Sequence, residues 1–294
     1  MVYSVIEGVK IKKYYSLIFL IFFYLLLYII LFCLNDGEAN NSDIKQSNNK
    51  IKIAILDSGI NKNVDKVKDK VVKQYNAINP KKKVYDDYDH GTAVAGIIIS
   101  NNPSRLGDSP NAELYDVKVL DKNGKGEISS LIKAINWCIK ENISIINISF
   151  GVQIDNKDLK NSIQKALDSG IIIIASAGNT YGTGVDYPAQ YKGVLSINAL
   201  NSNIKTADFS AKGKIDYSMV GVDLPSINHY GESGLFSGTS FATAYATRVI
   251  SVLLLKQNKH ITSSNIHSFL NSHTTRLGKK DIDEYYGYGI LNTH

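Results

Sequence analysis

Short apolar, β-branched runs alternate along this chain with longer segments that have the length and spacing of helices. The apolar runs lie at 51–56, 114–120, 143–149, 171–177 and 194–199. Because they are almost continuously apolar, they predict strands of a sheet that is covered on both faces. The helical segments lie at 90–100, 128–140, 159–169 and 240–256, and Gly170 ends the third of them. The alternation predicts an α/β fold of three layers, with a mostly parallel, doubly wound sheet and helices on both of its faces.

A longer apolar segment precedes this region. Residues 14–34 are interrupted only by Ser16 and are long enough to cross a bilayer as one helix of roughly 30 Å. Lysines precede the segment and acidic residues follow it, which predicts a cytoplasmic N-terminus at 1–13 and a single-pass protein whose main domain lies outside the cell. A cleaved signal sequence is the alternative, since Gly37-Glu38-Ala39 resembles a cleavage site, and the protein would then be secreted. The apolar run exceeds the usual signal-peptide core of about 7–15 residues, which favours an uncleaved anchor.

Composition limits the number of domains and the classes of partner. Residues 35–50 are polar and predict a linker, and residues 51–294 have room for one large hydrophobic core. The two cysteines, Cys33 and Cys138, do not predict a disulfide framework. The net charge is +6, but the lysine-rich stretch at 62–83 carries no recognised nucleic-acid-binding motif, so we expect no nucleic acid partner.

Four short motifs carry the candidate chemistry. They are Asp57-Ser58-Gly59, His90-Gly91-Thr92, Ser176-Ala177-Gly178-Asn179 and Gly238-Thr239-Ser240-Phe241-Ala242. A serine attacks a carbonyl only when an imidazole takes its proton and a carboxylate holds that imidazole in one tautomer. Ser240, His90 and Asp57 fit these roles, and the Asn179 amide with the Ser240 backbone N–H could hold the oxyanion. Each residue alone has a simpler explanation, as a helix cap, a surface histidine or a turn former, and the combination favours catalysis.

These motifs, in this order, resemble those of the subtilisin-like serine proteases, the subtilase family, over about 51–292. The resemblance implies the α/β fold described above and a serine endopeptidase that acts on peptide or protein substrates through an acyl-enzyme. It further implies two strands that flank an extended substrate, Gly124-Lys125-Gly126 and Ser149-Phe150-Gly151.

By the same resemblance, Asp186 lies at the floor of the pocket for the residue before the scissile bond. An acid there would favour Arg or Lys, because unlike charges about 4 Å apart attract by roughly 4 kcal/mol at an effective dielectric near 20, before desolvation is subtracted. The alternative is that Asp186 is solvated in a turn. A basic preference, together with the absence of a long propeptide at 35–50, would suit a maturation protease that removes a leader from a secreted peptide.

The chain departs from the family pattern at Ala93, where relatives usually have a second histidine, and at Ala244-Tyr245, where they have proline and histidine. No cofactor is required for the expected chemistry. Relatives often bind calcium in the loop after the histidine helix, but here the loop contains Arg105 and has no carboxylate before Asp108, so we do not expect that metal site. We expect a monomer.

A second class of function stays open from sequence alone. The chain could be a protease-like binding or immunity protein that has lost its activity. The presence of all four residues, Asp57, His90, Asn179 and Ser240, favours the enzyme.

Overall fold

The structure is a computed structural model that describes residues 50–99, 108–257, 259–279 and 281–293. The predicted cytoplasmic segment 1–13, the membrane segment 14–34 and the linker up to residue 49 therefore lie outside the described residues. Within the described ranges, no helix has the length and apolar content needed to cross a bilayer.

The described strands are β1 (Ile51–Asp57), β2 (Val71–Asn76), β3 (Ala112–Lys118), β4 (Ile145–Ile148), β5 (Ile172–Ser176), β6 (Leu195–Leu200), β7 (Tyr217–Val220), β8 (Leu224–Ile227), β9 (Ser233–Phe236), β10 (Thr274–Thr275) and β11 (Ile290–Leu291). Nine of them form one sheet in the order β10-β11-β7-β6-β5-β4-β1-β3-β2. Every pair in this sheet is parallel except β10 with β11. Strands β8 and β9 form a separate antiparallel hairpin. The prediction of a mostly parallel sheet is confirmed.

The described helices are α1 (Asp65–Lys68), α2 (Gly91–Ile99), α3 (Ile128–Lys140), α4 (Lys157–Asp168), α5 (Thr239–Leu255) and α6 (Ile266–Asn271). Four of them, α2 to α5, match the helices that the sequence predicts. The prediction for α4 began two residues late, because it overlooked the cap: Asn156 Oδ1 accepts from the backbone N–H groups of Asp158 and Leu159 at 3.0 and 2.9 Å.

Alternate side chains of each central strand enter two different cores, one on each face of the sheet. On β1, Ile53 and Ile55 pack in a core with α2 and α5, whereas Ala54 and Leu56 pack in a second core with α3 and α4. Burial of each large apolar side chain stabilises the fold by about 1.5–3 kcal/mol relative to exposure. The continuous apolar runs are explained by this arrangement, since both faces of the strands are covered.

Strand β1 lies at the point where the strand order of the sheet reverses, the topological switch point. The chain adds β3 and β2 on one side of β1 and β4 to β7 on the other. In doubly wound sheets, ligands bind beyond the carboxyl ends of the strands at such a point. Asp57 is the last residue of β1 and Ser176 is the last residue of β5, so two of the four motifs meet at this edge.

Candidate active site

Asp57 and His90 are joined directly. The Asp57 side chain is fully buried at the end of β1, and His90 immediately precedes α2 rather than opening it. His90 Nδ1 lies 2.8 Å from Asp57 Oδ1 and 2.9 Å from Oδ2. Because a carboxylate only accepts, Nδ1 carries the proton in this contact, and Nε2 is the nitrogen left to act as a base.

The pKa of His90 reflects two opposing effects. Burial lowers the pKa, but the negative charge of Asp57 and the hydrogen bond to it raise the pKa, with further contributions from Asp86 and Asp89. The net result is a pKa above the ordinary value of 6.5. The carboxylates around the ring therefore stabilise an imidazolium, which is the form that a general base adopts during proton transfer.

Small residues and a buried aspartate hold the segments of Asp57 and His90 together. A Cβ at Gly91 would lie 2.2 Å from the Gly59 carbonyl oxygen, so only glycine allows this approach. Ser58 Oγ lies 2.7 Å from Asp86 Oδ1 and accepts from the Gly91 N–H at 2.9 Å. Asp86 Oδ2 accepts from both the N–H and the hydroxyl of Thr92 at 2.9 and 2.5 Å. These bonds fix the start of α2 against the end of β1.

Ser240 is the second residue of α5 and lines the same cleft as His90, a space of about 320 Å³. The ring of the next residue, Phe241, lies 5.2 Å from the His90 ring, centroid to centroid. The Ser149 hydroxyl lies 3.0 Å from the Ser240 carbonyl oxygen, which ties the start of α5 to the end of β4. Among the described residues, Ser240 Oγ and His90 share no hydrogen bond; in enzymes without substrate such contacts are often long and shorten on binding.

Asn179 is anchored by its side-chain oxygen. Asn179 Oδ1 accepts from the Thr239 backbone N–H at 3.0 Å and from the Thr239 hydroxyl at 2.9 Å. Because the backbone N–H can only donate, the bound atom must be the oxygen. The side-chain nitrogen lies beside Gly238, where an added Cβ would be 3.5 Å from it, and Asn179 lines the cleft with Ser240. An amide donor thus lies beside Gly238, two residues before Ser240.

Most of the substrate-strand residues expected from sequence line this cleft, namely Gly124, Ser149, Phe150, Gly151 and Asp186. Gly126 is the exception: it lies outside the lining and pairs with Leu120 in an isolated antiparallel bridge. The turn at 121–124 is closed by the bond from the Gly124 N–H to the Asp121 carbonyl oxygen, and Gly126 beyond it lies against Leu120 instead of the cleft.

Tyr88 is a cleft residue that the sequence analysis missed. It is 46% exposed and lines the cleft beside His90. A Cβ at Gly124 would lie 2.4 Å from Tyr88 Cζ, so the ring packs directly on the glycine backbone. The signal available in the sequence was an aromatic residue two positions before the candidate base.

Asp186 lies between the two chain segments that follow β4 and β5. An added Cβ would be 2.4 Å from Asp186 Cβ at Gly151 and 2.4 Å from Asp186 Oδ2 at Gly178. None of the ion pairs formed by described residues involves Asp186. Partial burial raises the pKa of this carboxyl. A carboxylate without a cation among the described residues therefore lines the same cleft as the candidate nucleophile.

The described residues contain no group of three or more His, Cys, Asp or Glu side chains arranged to hold a metal ion. The loop at 100–107, on which the calcium expectation depends, lies outside the described residues. The expectation that this loop binds no calcium stays a prediction.

Comparison with known proteins gives a consistent result. The model of the subtilase family, peptidase S8, matches residues 48–289. The chain is 35% identical over 247 residues to the minor extracellular protease Epr of Bacillus subtilis, covering 82% of this chain and 37% of that protein. It is 34% identical over 262 residues to the thermostable alkaline protease of Halalkalibacterium halodurans, covering 88% and 70%. It is 35% identical over 251 residues to subtilisin E of Bacillus subtilis, covering 82% and 64%.

Proposed function

The chain belongs to the subtilase family of serine endopeptidases, and we propose that it hydrolyses peptide bonds with Ser240 as nucleophile, His90 as general base and Asp57 as the residue that orients the base. The observation that carries the proposal is the 2.8 Å contact between His90 Nδ1 and Asp57 in the same cleft as Ser240. A buried carboxylate, an imidazole and a hydroxyl at the start of a helix are the groups that acyl transfer requires.

In the proposed reaction, His90 Nε2 takes the hydroxyl proton while Ser240 Oγ attacks the carbonyl carbon. Negative charge then develops on the carbonyl oxygen, where the Asn179 side-chain amide and the Ser240 backbone N–H donate hydrogen bonds to it. His90 returns the proton to the leaving amine as the C–N bond breaks, which leaves an acyl-enzyme. In the second half of the reaction, His90 takes a proton from a water molecule as the water attacks the acyl carbon. The ester bond to Ser240 Oγ then breaks, His90 returns the proton to Oγ, and the acid product leaves.

The substrate would bind as an extended strand between Gly124 and the segment 149–151. Both segments line the cleft, and backbone hydrogen bonds to such edges hold a peptide independently of its side chains. The scissile bond would then lie over Ser240, with the preceding side chain directed between Gly151 and Gly178.

A fluorophosphonate probe tests the proposal directly, since it reacts only with an activated serine. We expect labelling of the wild-type protein and none of Ser240→Ala, with equal far-UV circular dichroism spectra. A folded wild-type protein that is never labelled would instead favour the inactive binding or immunity protein.

The pH dependence of the reaction follows from the pKa of His90. Protonated His90 cannot accept the serine proton, so kcat/KM is expected to rise with pH through a pKa above 6.5. In Asp57→Asn the acid limb is expected to move to lower pH, because the main group that raises this pKa is removed. The same change is expected to lower kcat by about 10⁴, as it does in other serine proteases. Asp208→Asn, at an exposed position, is the control. An unshifted acid limb in Asp57→Asn would contradict the assignment.

Removal of the oxyanion donor is expected to lower kcat and leave KM nearly constant. For Asn179→Ala we expect a loss of about 10²–10³ in kcat, the size known for this asparagine in subtilisin, a member of the same family. Since Asn179 also binds Thr239, Thr239→Val is the matched control: it removes one of the two hydrogen bonds to Asn179 Oδ1 and keeps the donor. A similar loss in both variants would assign Asn179 a structural role only.

The position of Asp186 supports a preference for arginine or lysine before the scissile bond. The carboxylate lies against Gly151 and Gly178 and has no described cationic partner, so a basic substrate side chain would supply the missing charge. Together with this preference, we propose that the enzyme is a maturation protease that removes a leader from a secreted peptide.

For location, we propose that residues 14–34 anchor the protein and that the peptidase domain faces the outside of the cell. One relative is named as an extracellular protease, and the apolar segment supplies a way to cross the membrane. The mature protein should be found in the membrane fraction at its full size. Recovery from the medium alone, with an N-terminus beyond residue 34, would show a cleaved signal sequence. That the enzyme acts as a monomer stays a prediction.

A further inference from the structure

A carboxylate that the proposed reaction does not use lies inside the sheet near the catalytic groups. Asp116, on β3, is fully buried. Its Oδ2 accepts from the Ile60 backbone N–H at 3.1 Å and from Gln74 Nε2 at 2.8 Å. Its Oδ1 is buried and has no hydrogen-bond partner among the described residues. Burial of an incompletely bonded carboxyl is costly, which suggests that this group has a role other than stabilising the fold.

Ile60, which donates to Asp116, lies in the loop that follows Asp57. Lys118 lies two residues beyond Asp116 on β3 and therefore on the same face of the sheet. Its Nζ donates to the Ser58 carbonyl oxygen at 2.5 Å. Asp116 and Lys118 are here called the β3 clamp, because one accepts from and the other donates to the loop 58–60. Asp57 itself lies opposite Lys118 in the parallel register of β1 and β3.

The loop is in turn bonded to the catalytic carboxylate. The Ser58 backbone N–H donates to Asp57 Oδ1 at 2.7 Å, and the same oxygen lies 2.8 Å from His90 Nδ1. A shift of the loop would therefore change the position of the carboxylate on which the His90 ring depends.

We propose that Asp116 is a positioning residue, which acts through the Ile60 N–H to fix the direction of the Asp57 carboxylate and so of the His90 ring. The inference rests on the proposed peptidase function, since ring position affects turnover only if His90 is the base. Gln74, opposite Asp116 in the register of β2 and β3, keeps the carboxyl turned toward Ile60.

The charge state of Asp116 makes the stability of the fold depend on pH. Burial raises the pKa of Asp116 to about 7; Asp86 also raises it, whereas the hydrogen bonds from Gln74 and Ile60 and the charge of Lys118 lower it. Because this pKa lies above the ordinary 3.8, Asp116 contributes stability that is fully present below about pH 4 and is lost as the pH rises through about 7. The neutral carboxyl still has an acceptor oxygen for Ile60, so the clamp is intact in the more stable form.

Two variants separate the acceptor from the charge. In Asp116→Ala the acceptor is lost, and we expect kcat to fall about tenfold or more while KM stays within about twofold, since misplaced catalytic groups lower turnover. In Asp116→Asn the amide oxygen can still accept from Ile60, and we expect kcat at pH 6 within about twofold of wild type. Glu113→Gln is the matched control, because Glu113 lies on the same strand and its side chain bonds, among the described residues, only Lys50 at the surface.

Two further readouts respond to the clamp without turnover. The proton NMR signal of His90 Nδ1–H is expected to shift or broaden in Asp116→Ala and to stay unchanged in Glu113→Gln. In the wild type, the urea midpoint of unfolding should fall between pH 4 and 8 as Asp116 ionises. In Asp116→Asn this fall should be smaller, because the amide does not ionise.

Three results would overturn the inference: wild-type kcat with an unchanged His90 signal in folded Asp116→Ala, equal effects in Glu113→Gln, or the same pH dependence of unfolding in Asp116→Asn as in wild type. If Asp116→Ala does not fold, Gln74→Ala decides, because it removes the hydrogen bond that holds the Asp116 carboxyl: a His90 Nδ1–H signal and a kcat equal to wild type in that variant would overturn the inference. A wild-type protein that neither labels nor hydrolyses peptides would refute the proposed function, while the His90 signal would still test the clamp.

Discussion

Ser240→Ala is expected to lower kcat by about 10⁶, with KM changed by no more than a few fold. The size is that known for the nucleophile of subtilisin, a member of the same family. The physical reason is that the hydroxyls of Ser149 and Ser237, which line the same cleft, contact the Ser240 carbonyl oxygen and Asp223 rather than the His90 ring. Without the Ser240 hydroxyl, the remaining rate then comes only from binding and from the donors at Asn179 and the start of α5. Burst kinetics with an activated ester substrate measure the acyl-enzyme directly.

Ser237→Ala is the matched control for this variant. Ser237 lines the same cleft three residues earlier, and its hydroxyl contacts Asp223, the exposed residue before β8. Its loss should leave kcat within about twofold. A wild-type burst that persists in Ser240→Ala would mean that a different residue is the nucleophile.

Asp186→Asn is expected to change the choice of substrate rather than the rate of the chemical step. On peptides with arginine before the scissile bond, kcat/KM should fall about 100-fold, whereas peptides with phenylalanine or leucine should change little. The Coulomb attraction of about 4 kcal/mol at 4 Å, reduced by desolvation of both charges, leaves roughly 2.7 kcal/mol, which is a factor of about 100.

The same carboxyl gives this preference a pH dependence. Since burial raises the pKa of Asp186, the preference for arginine should weaken as the pH falls and the carboxyl becomes neutral. Asp121→Asn is the control: it removes an equal charge next to the cleft residue Leu120, and its amide oxygen can still accept from the N–H groups of Asn123 and Lys125. If wild type favours phenylalanine or leucine over arginine, the basic preference is wrong.

The sequence predicts the centre of the fold well because the central strands have apolar residues on both faces. The run 51–56 corresponds to β1, and 128–140 matches α3 residue for residue. The edge of the sheet has no such signal. Most residues of β2 are exposed or partly exposed, such as Lys73 and Gln74, so the apolar pattern does not predict this strand. The short strands β10 and β11 are held by pairing across a separation of 15 to 17 residues, which no local pattern shows.

The candidate site shows a similar division. Motif order predicts Asp57, His90, Asn179 and Ser240 as the site residues, and the structure brings all four to the carboxyl edge of the sheet. Sequence could not show that Asn179 is fixed by Thr239, because that contact joins residues 60 positions apart. Nor could it show Asp116, which lies within an apolar run and was passed over as part of an ordinary strand.

The separation of the two cores has a consequence for how this protein can change during evolution. The helices that begin at the proposed base and nucleophile, α2 and α5, pack in one core, while α3 and α4 occupy the other face of the sheet. Substitutions in the core that contains α3 and α4 would therefore change mainly the free energy of unfolding. Substitutions between α2 and α5 would change the distance between the Ser240 hydroxyl and the His90 ring before they unfold the protein. We therefore expect related sequences to vary more in the core of α3 and α4 than in the core of α2 and α5.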